Sequence, residues 1–470
     1  MMMASGASVR SALFLGAIGM LLTLLWIANL RYPLVSDPVE YAQLSVSIWE
    51  TGTYRVLGVA HEVFPPMLPI LSYPFIKMAG LNFGMKTASL VYGLLMIVAL
   101  FTFLRHESRD DPVLAYSVTA LLALSYTVTW LFSVGNADLL YGAEFFLILL
   151  LYLKAAHHPR LYLIIGLLLG ITMLTRYMGA ALAPILFLHV LLTRRAHLRT
   201  PSFWIQWVLA AAVFSLWLLR NKLTFGTWIL WHLRAQIGDV TVTPALSLLV
   251  RNITFYVNPL HSIALLALLF IIGIATRWRK HLLIAIAIPW SIAPALVYHT
   301  ASSRYLVATI PLLLVFVVEG IRVLRNYLPM WIVWSLVGIA LVGQVGLTCL
   351  YTLPQCHRMM NQLIPMLPRE TGIAQEAMES FQLAVDWIDR FAVSGSSVIG
   401  SNIVPQDIPV WQSSHRLRSD LMLAIEPSCT TVTYAMDQGH KRATGNVVYV
   451  TSTRPPVTVT RIEPQECHTH

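Results

Sequence analysis

A few carboxylates and arginines stand beside long apolar runs in a chain of 470 residues that is 57% hydrophobic. Asp37 is followed directly by Pro38, a pair typical of a helix start, and Glu40 comes one turn later. Asp37 is therefore explained as an N-cap. A carboxylate within reach of a hydroxyl group is equally suited to accept its proton. The local sequence leaves both interpretations open.

Glu40 is a candidate for a second acidic group, or for a group that positions the hydroxyl of an acceptor substrate. Three more titratable side chains are candidates for the same roles. Asp138 begins an apolar run, where the helix dipole by itself favours an acidic residue. Glu144 would lie nearly two turns into a membrane, where carboxylates are costly and are usually paired or functional. His61 lies in the same loop as Asp37.

Three arginines lie at ends of apolar runs that are predicted to face the same, outer side of a membrane: Arg176, Arg220 and Arg304. Each of them by itself is explained as a side chain that snorkels to the membrane surface. Three guanidinium groups at one level, opposite a loop that carries carboxylates, favour a phosphate-binding site.

The elements that must position these side chains are membrane helices. Only 11% of the residues are charged, against about 25% in soluble domains. The net charge of +10 is explained by basic cytoplasmic loops. No basic stripe with interleaved aromatic residues occurs, so nucleic acid is not a predicted partner.

Hydropathy predicts an all-α polytopic membrane domain over residues 11–351, with about eleven spans embedded among membrane lipids. The predicted spans are 11–30, 87–104, 112–137, 139–153, 161–175, 177–193, 203–219, 259–276, 282–298, 305–318 and 327–351. Lys and Arg gather in alternate short loops, which places the N-terminus in the cytoplasm. The loop 31–86 then lies outside and is predicted to hold two interfacial helices, 39–50 and 67–79. Tyr41, Leu44 and Ile48 of the first helix are expected to lie against the membrane surface.

Residues 352–470 are polar and predict a small α/β domain on the outer, periplasmic or extracellular, side. Residues 377–391 have helical periodicity, whereas 397–399 and 447–450 are typical of strands. All four cysteines lie late, at Cys349, Cys356, Cys429 and Cys467, without CxxC spacing. An outer location would allow a disulfide among the last three.

Four short segments resemble the membrane-embedded GT-C glycosyltransferases. The branch is the one that contains bacterial aminoarabinose and other lipopolysaccharide sugar transferases and the protein O-mannosyltransferase relatives. The segments are Asp37-Pro38-Val39-Glu40-Tyr41-Ala42, Pro65-Pro66-Met67-Leu68-Pro69, Leu174-Thr175-Arg176-Tyr177-Met178-Gly179, and Arg304-Tyr305-Leu306 followed by Ile310-Pro311-Leu312-Leu313. Pro38 departs from the pattern, because the family commonly has a second acidic residue there.

The resemblance implies an inverting transfer of a sugar from a polyprenyl-phosphate donor to a lipid, glycan or protein acceptor. The reaction would take place at the outer face of the cell (inner) membrane. Asp37 would be the catalytic base, and Arg304, then Arg176 and Arg220, would hold the donor phosphate. No cofactor is assigned with certainty, a divalent metal stays open, and no metal-ligating residue is assigned. Relatives differ in their use of a divalent metal, and no His or carboxylate spacing decides the matter here.

Two other functions stay open at this point. A transporter or flippase would place charges near the bilayer midplane and often contains repeats, whereas these charges lie at one face and no repeat is visible. A polymerase or ligase of surface polysaccharide would use a diphosphate-linked donor instead. A transporter requires Glu144 to line a central path, whereas an enzyme requires Asp37 and Arg304 to converge on an outer cavity.

Overall fold

The computed structural model describes six continuous stretches, residues 2–30, 37–56, 59–108, 111–228, 266–297 and 302–329. It also describes single or paired positions between residues 34 and 391, and five short strands between residues 397 and 462. Most of the predicted span 327–351, most of the predicted helix 377–391 and all four cysteines lie outside the described residues.

The membrane portion is helical, as predicted. In chain order the helices are α1 (Met2–Asn29), α2 (Asp37–Thr51), α3 (Met67–Glu107), α4 (Pro112–Ala123), α5 (Tyr126–Val134), α6 (Asp138–Ala155), α7 (Leu161–Thr175), α8 (Leu182–Thr193), α9 (Pro201–Phe225), α10 (Ala267–Arg277), α11 (Leu282–Val297) and α12 (Thr309–Leu324). Short 3₁₀ turns, Tyr177–Ala181, Arg195–Arg199 and Ser303–Leu306, precede α8, α9 and α12.

Three of the described helical segments are long and apolar enough to cross a membrane. They are Val9–Asn29, Met67–Glu107 and Pro201–Phe225. The other apolar helices in the described part are shorter, at 10–17 residues. A multi-pass membrane protein follows from these helices, whereas the number of eleven spans stays a prediction.

The expectation of one continuous span over 112–137 is wrong. The chain leaves the helix at Ser125, whose backbone is extended (φ −70°, ψ 137°). The Ser125 hydroxyl donates a hydrogen bond to the carbonyl of Leu122 at 2.7 Å. A serine side chain that bonds to nearby backbone competes with the helix and ends it here, so that α4 and α5 are separate.

The outer-loop helix 67–79 is present, but it joins the following span through a kink instead of a loop. Gly80 has φ 77° and ψ 170°, which breaks the helical backbone inside α3. Only glycine adopts this conformation readily. The first part of α3 is therefore the predicted loop helix, and the second part contains the predicted span 87–104.

Helix α2 covers the predicted helix 39–50, and Gly52 follows it with φ 67°. We expected Tyr41 and Leu44 to lie against the membrane surface, and that expectation is wrong. Both side chains are fully buried in the protein. Apolar periodicity identifies the buried face of a helix, but it does not distinguish a protein core from lipid.

Two short strands in the first loop, β1 (Arg55–Val56) and β2 (Val59–Ala60), pair with each other. The C-terminal part holds five strands, β3 (Ser397–Gly400), β4 (Met422–Leu423), β5 (Thr433–Gln438), β6 (Asn446–Val450) and β7 (Val457–Ile462). These five form one mixed sheet in the order β4-β3-β5-β7-β6. Strand β3 is parallel to β4 and β5, whereas β7 is antiparallel to β5 and β6. Both predicted strands, at 397–399 and 447–450, are present, and the α/β domain as a whole stays a prediction.

The chain divides into two compact units. The first holds residues 1–28, 60–70 and 88–348, and the second holds 29–59, 71–87 and 349–470. Within the first unit, α7 packs on α6 and α9, α10 packs on α12, and α11 packs on α8. In the second unit, Lys86 is buried and donates a hydrogen bond to the carbonyl of Asn29 at 2.6 Å.

Candidate active site

A buried ion pair joins the beginning of α6 to the end of α7. Arg176 Nη2 donates a hydrogen bond to Asp138 Oδ2 at 2.7 Å, and the Asp138 side chain is only 2% exposed. Arg176 directly follows α7 with an extended backbone (φ −147°), which turns its side chain out of the helical repeat. The pairing accounts for both residues in the apolar interior, because each neutralises the other.

Glu144 reaches the same end of α7 from nearly two turns deeper in α6. It is buried, with 7% exposure, and its Oε1 accepts a hydrogen bond from Thr175 at 3.0 Å. Thr175 immediately precedes Arg176. The two carboxylates of α6 therefore contact the last residue of α7 and the residue that follows it, which the sequence separation between Asp138 and Glu144 did not predict.

The ring of Tyr305 brings two of the predicted arginines together. The guanidinium carbon of Arg304 lies 5.2 Å from the centre of this ring, and that of Arg176 lies 5.9 Å from it. Arg304 Nη2 also donates a hydrogen bond to the Tyr305 hydroxyl at 3.3 Å. A shared aromatic ring holds cations in place without neutralising them.

The third arginine, Arg220, is held by aromatic side chains and by the first loop. Its guanidinium carbon lies 4.9 Å from the Trp217 ring and 5.0 Å from the Phe225 ring. Arg220 Nη1 donates a hydrogen bond to the carbonyl of His61 at 2.7 Å. Trp217 Nε1 donates to the hydroxyl of Tyr177, the residue after Arg176.

His61 is a neutral imidazole in this setting. Burial and the neighbouring charge of Arg220 lower its pKa to about 4. Its Nε2 accepts a hydrogen bond from the backbone N–H of Phe64 at 3.2 Å, so the ring proton belongs on Nδ1. His61 therefore orders the loop that receives Arg220, and it is a weak base at neutral pH.

Asp37 and Glu40 lie in the first turn of α2, at a spacing that puts both carboxylates on one face of the helix. Both are half-buried. They belong to the second compact unit, whereas Asp138, Glu144, His61 and the three arginines belong to the first. The first unit thus contains six of the eight predicted site residues, and each of the six contacts another of them or a residue next to one of them.

Sequence reasoning missed the aromatic side chains that connect these groups. Tyr305 and Tyr177 each directly follow a predicted arginine, and Trp217 precedes Arg220 by three residues. An aromatic residue beside an arginine at a helix end was the available signal, because guanidinium groups stack on aromatic rings. Among the residues that the structure describes, no three His, Cys, Asp or Glu side chains gather as a metal site.

Comparison with known proteins supports the sequence resemblance. Residues 64–219 match the family described as dolichyl-phosphate-mannose-protein mannosyltransferase. No curated protein sequence matches the chain.

Two solved structures share the fold over most of the chain. One is ArnT from Cupriavidus metallidurans bound to undecaprenyl phosphate, at a TM-score of 0.60 and 15% identity over 97% of this chain and 98% of that one. The other is the oligosaccharyltransferase AglB from Archaeoglobus fulgidus, in complex with an inhibitory peptide and a dolichol-phosphate. Its TM-score is 0.51 at 13% identity, over 90% of this chain and 69% of that one. The fold is that of the GT-C glycosyltransferases, and the expected resemblance is confirmed.

Proposed function

We propose that this GT-C chain is a glycosyltransferase that takes its sugar from a polyprenyl-phosphate donor and passes it to a lipid, glycan or protein acceptor. The observation that supports this most directly is the pair of guanidinium groups, Arg176 and Arg304, on the one ring of Tyr305. A lipid phosphate that leaves during transfer gains negative charge. Fixed positive donors lower the energy of that transition state.

Arg304 is the first residue that we assign to the donor phosphate. Arg176 shares its charge with Asp138, which weakens its attraction for a phosphate. Asp138 then acts as a positioning residue, because it fixes where the Arg176 side chain lies. Arg220, held by Trp217 and the carbonyl of His61, is the third candidate.

Asp37 is our proposed general base. In a single displacement, the acceptor hydroxyl attacks the anomeric carbon while the bond from that carbon to the phosphate oxygen breaks. Asp37 accepts the hydroxyl proton, and the electron pair of the broken bond leaves on the lipid phosphate. One attack from the opposite side inverts the anomeric carbon, which needs one base instead of the carboxylate pair of a retaining glycosidase.

Glu144 and Glu40 have supporting roles in this proposal. Glu144 is buried against Thr175, which favours positioning of the Arg176 segment over a place on a transport path. Glu40, one turn after Asp37, is suited to orient the acceptor, and it offers a second carboxylate where Pro38 replaces the acidic residue of the family pattern.

The test of the proposal is complementation of a strain that lacks this gene. We expect Asp37→Asn to abolish transfer while the protein still inserts, because the base is lost but a polar side chain of the same size remains at the start of α2. Glu50→Gln, an exposed carboxylate of the same helix, is the matched control and should restore transfer. The measurement is the lipid and glycan profile of each strain. It also identifies the missing sugar and acceptor. Full restoration by Asp37→Asn would overturn the assignment of the base.

A further inference from the structure

A cavity of about 960 Å³ opens at the end of the helices that carries most of the basic residues. Its walls come from four places in the first compact unit: the turn after α3, the end of α6, the end of α8 and the turn before α11. The volume falls within the range of small-molecule sites. None of the residues assigned above to glycosyl transfer lines it.

The two carboxylates in the cavity wall are already neutralised. Glu107 accepts hydrogen bonds from His281 Nδ1 at 2.9 and 3.0 Å. Asp111 forms a two-point ion pair with Arg322 from α12. Lys280, also in the wall, donates to Glu319 at 2.8 Å. These pairs leave little net negative charge in the wall.

Two arginines in the wall keep their charge. Arg194 donates to the carbonyl of Tyr152 at 3.3 Å and stacks on its ring at 5.3 Å. Arg279 stacks on the ring of Trp278, also at 5.3 Å. Within the described part of the chain, neither guanidinium has a carboxylate at ion-pair distance. Each therefore retains several of its five N–H donors for a ligand.

We propose that this cavity binds a phosphate monoester through Arg194 and Arg279. The planar guanidinium group matches two phosphate oxygens at once, so two of them suit a doubly charged phosphate. His157, exposed in the wall, adds a further donor. The apolar side chains Leu153, Leu282 and Leu283 line the rest of the space and suit the carbon skeleton of the ligand. The phosphate comes either from a lipid headgroup of the adjoining leaflet or from a soluble phosphomonoester.

The experiment measures binding to the full chain with two probes. The purified protein in neutral detergent is titrated with glycerol phosphate at constant ionic strength, and the reconstituted protein is compared in phosphatidylcholine vesicles with and without phosphatidic acid. We expect saturable stabilisation against heat with at least one probe. Arg194→Gln and Arg279→Gln should each weaken it by about tenfold, the loss expected for a hydrogen bond to a charged group.

Arg195→Gln is the matched control, because Arg195 neighbours Arg194 but lies outside the cavity and bonds to the carbonyl of Leu191. Arg279→Gln is not expected to disturb folding, because the described contact of Arg279 is with Trp278 alone. Weaker binding in this variant therefore reports on the ligand and not on the fold. Response to glycerol phosphate would identify a soluble ligand, and response to phosphatidic acid alone would identify a lipid headgroup. No response to either probe, or equal weakening by Arg195→Gln, would overturn the proposal.

Discussion

At the scale of single residues, the pairing of Asp138 with Arg176 determines what each can do. The sequence presents them as two separate charges, 38 positions apart, and each had a simple explanation of its own. The structure joins them because α6 and α7 pack against each other, so that the beginning of one helix meets the end of the next. A charge in an apolar interior needs such a partner.

The ion pair predicts that a double variant can regain stability without regaining activity. Asp138→Leu should lower the free energy of unfolding by about 3 kcal/mol, because it leaves the Arg176 charge buried without its carboxylate. The double variant Asp138→Leu with Arg176→Met should regain most of that stability and yet remain inactive, because the donor phosphate loses a guanidinium. Thermal unfolding in detergent measures the first effect and complementation measures the second. Equal instability of the single and double variants would contradict the pairing.

His281 gives the second prediction at this scale. Burial by itself would lower its pKa, but the hydrogen bonds and charges of Glu107 and Glu319 outweigh burial and raise the pKa to about 9. Lys280 and Arg322 also face Glu319, and Arg322 binds Asp111 beside the cluster. Protonated His281 is therefore the bridge between two carboxylates.

A raised pKa stabilises the fold fully below the ordinary value of 6.5, and the stabilisation is lost as the pH rises through about 9. We therefore expect the Tm of the wild type in detergent to fall across this window. The fall should be absent in His281→Gln and unchanged in His157→Gln, an exposed histidine at the same end. A wild-type Tm that rises over the same range would refute the assignment.

At the scale of elements, glycine determines how closely α10 and α12 pack. A side chain at Gly273 would collide with the carbonyl of Phe316, and one at Gly320 would collide with the carbonyl of Leu269. Both obstacles are backbone atoms, which cannot rotate away. Small residues allow membrane helices to approach to this distance.

Gly273→Ala should therefore push α10 and α12 apart and lower the free energy of unfolding by about 1–3 kcal/mol. Gly16→Ala in α1 is the control, because nothing lies within 4 Å of the added carbon there. We expect that variant to be neutral or slightly stabilising, since alanine favours helices more than glycine does. Thermal unfolding of both variants in the same detergent is the measurement, and equal stabilities would show that the helices do not pack as described.

At the scale of the whole molecule, the predicted topology determines where the chemistry can take place. The basic residues gather in alternate loops, which predicts an N-terminus in the cytoplasm and residues 352–470 outside. The cavity bounded by Arg194 and Arg279 then lies at the cytoplasmic ends of its helices. Arg176 and Arg304, which we propose to hold the donor phosphate, lie at the opposite ends, after α7 and before α12.

Impermeant thiol reagents test this topology in intact cells. We expect Cys429 to be labelled from outside after reduction. A cysteine introduced as His158→Cys, at an exposed position of the turn after α6, should be labelled only after the membrane is permeabilised. Labelling of both cysteines from the same side of the membrane would contradict the predicted topology. Labelling of Cys429 only from the cytoplasm would show that the orientation is the opposite of the predicted one.

The sequence by itself determined the membrane class, most helix positions, the two C-terminal strands and the short motifs that carry the GT-C resemblance. Hydropathy and helix-ending residues are local signals, which a single segment carries within itself. Only the tertiary structure decided that Arg176 pairs with Asp138, that Tyr305 lies beside both Arg176 and Arg304, and that Tyr41 and Leu44 face protein. Those facts depend on which helices pack together, and residues far apart in the chain decide that packing.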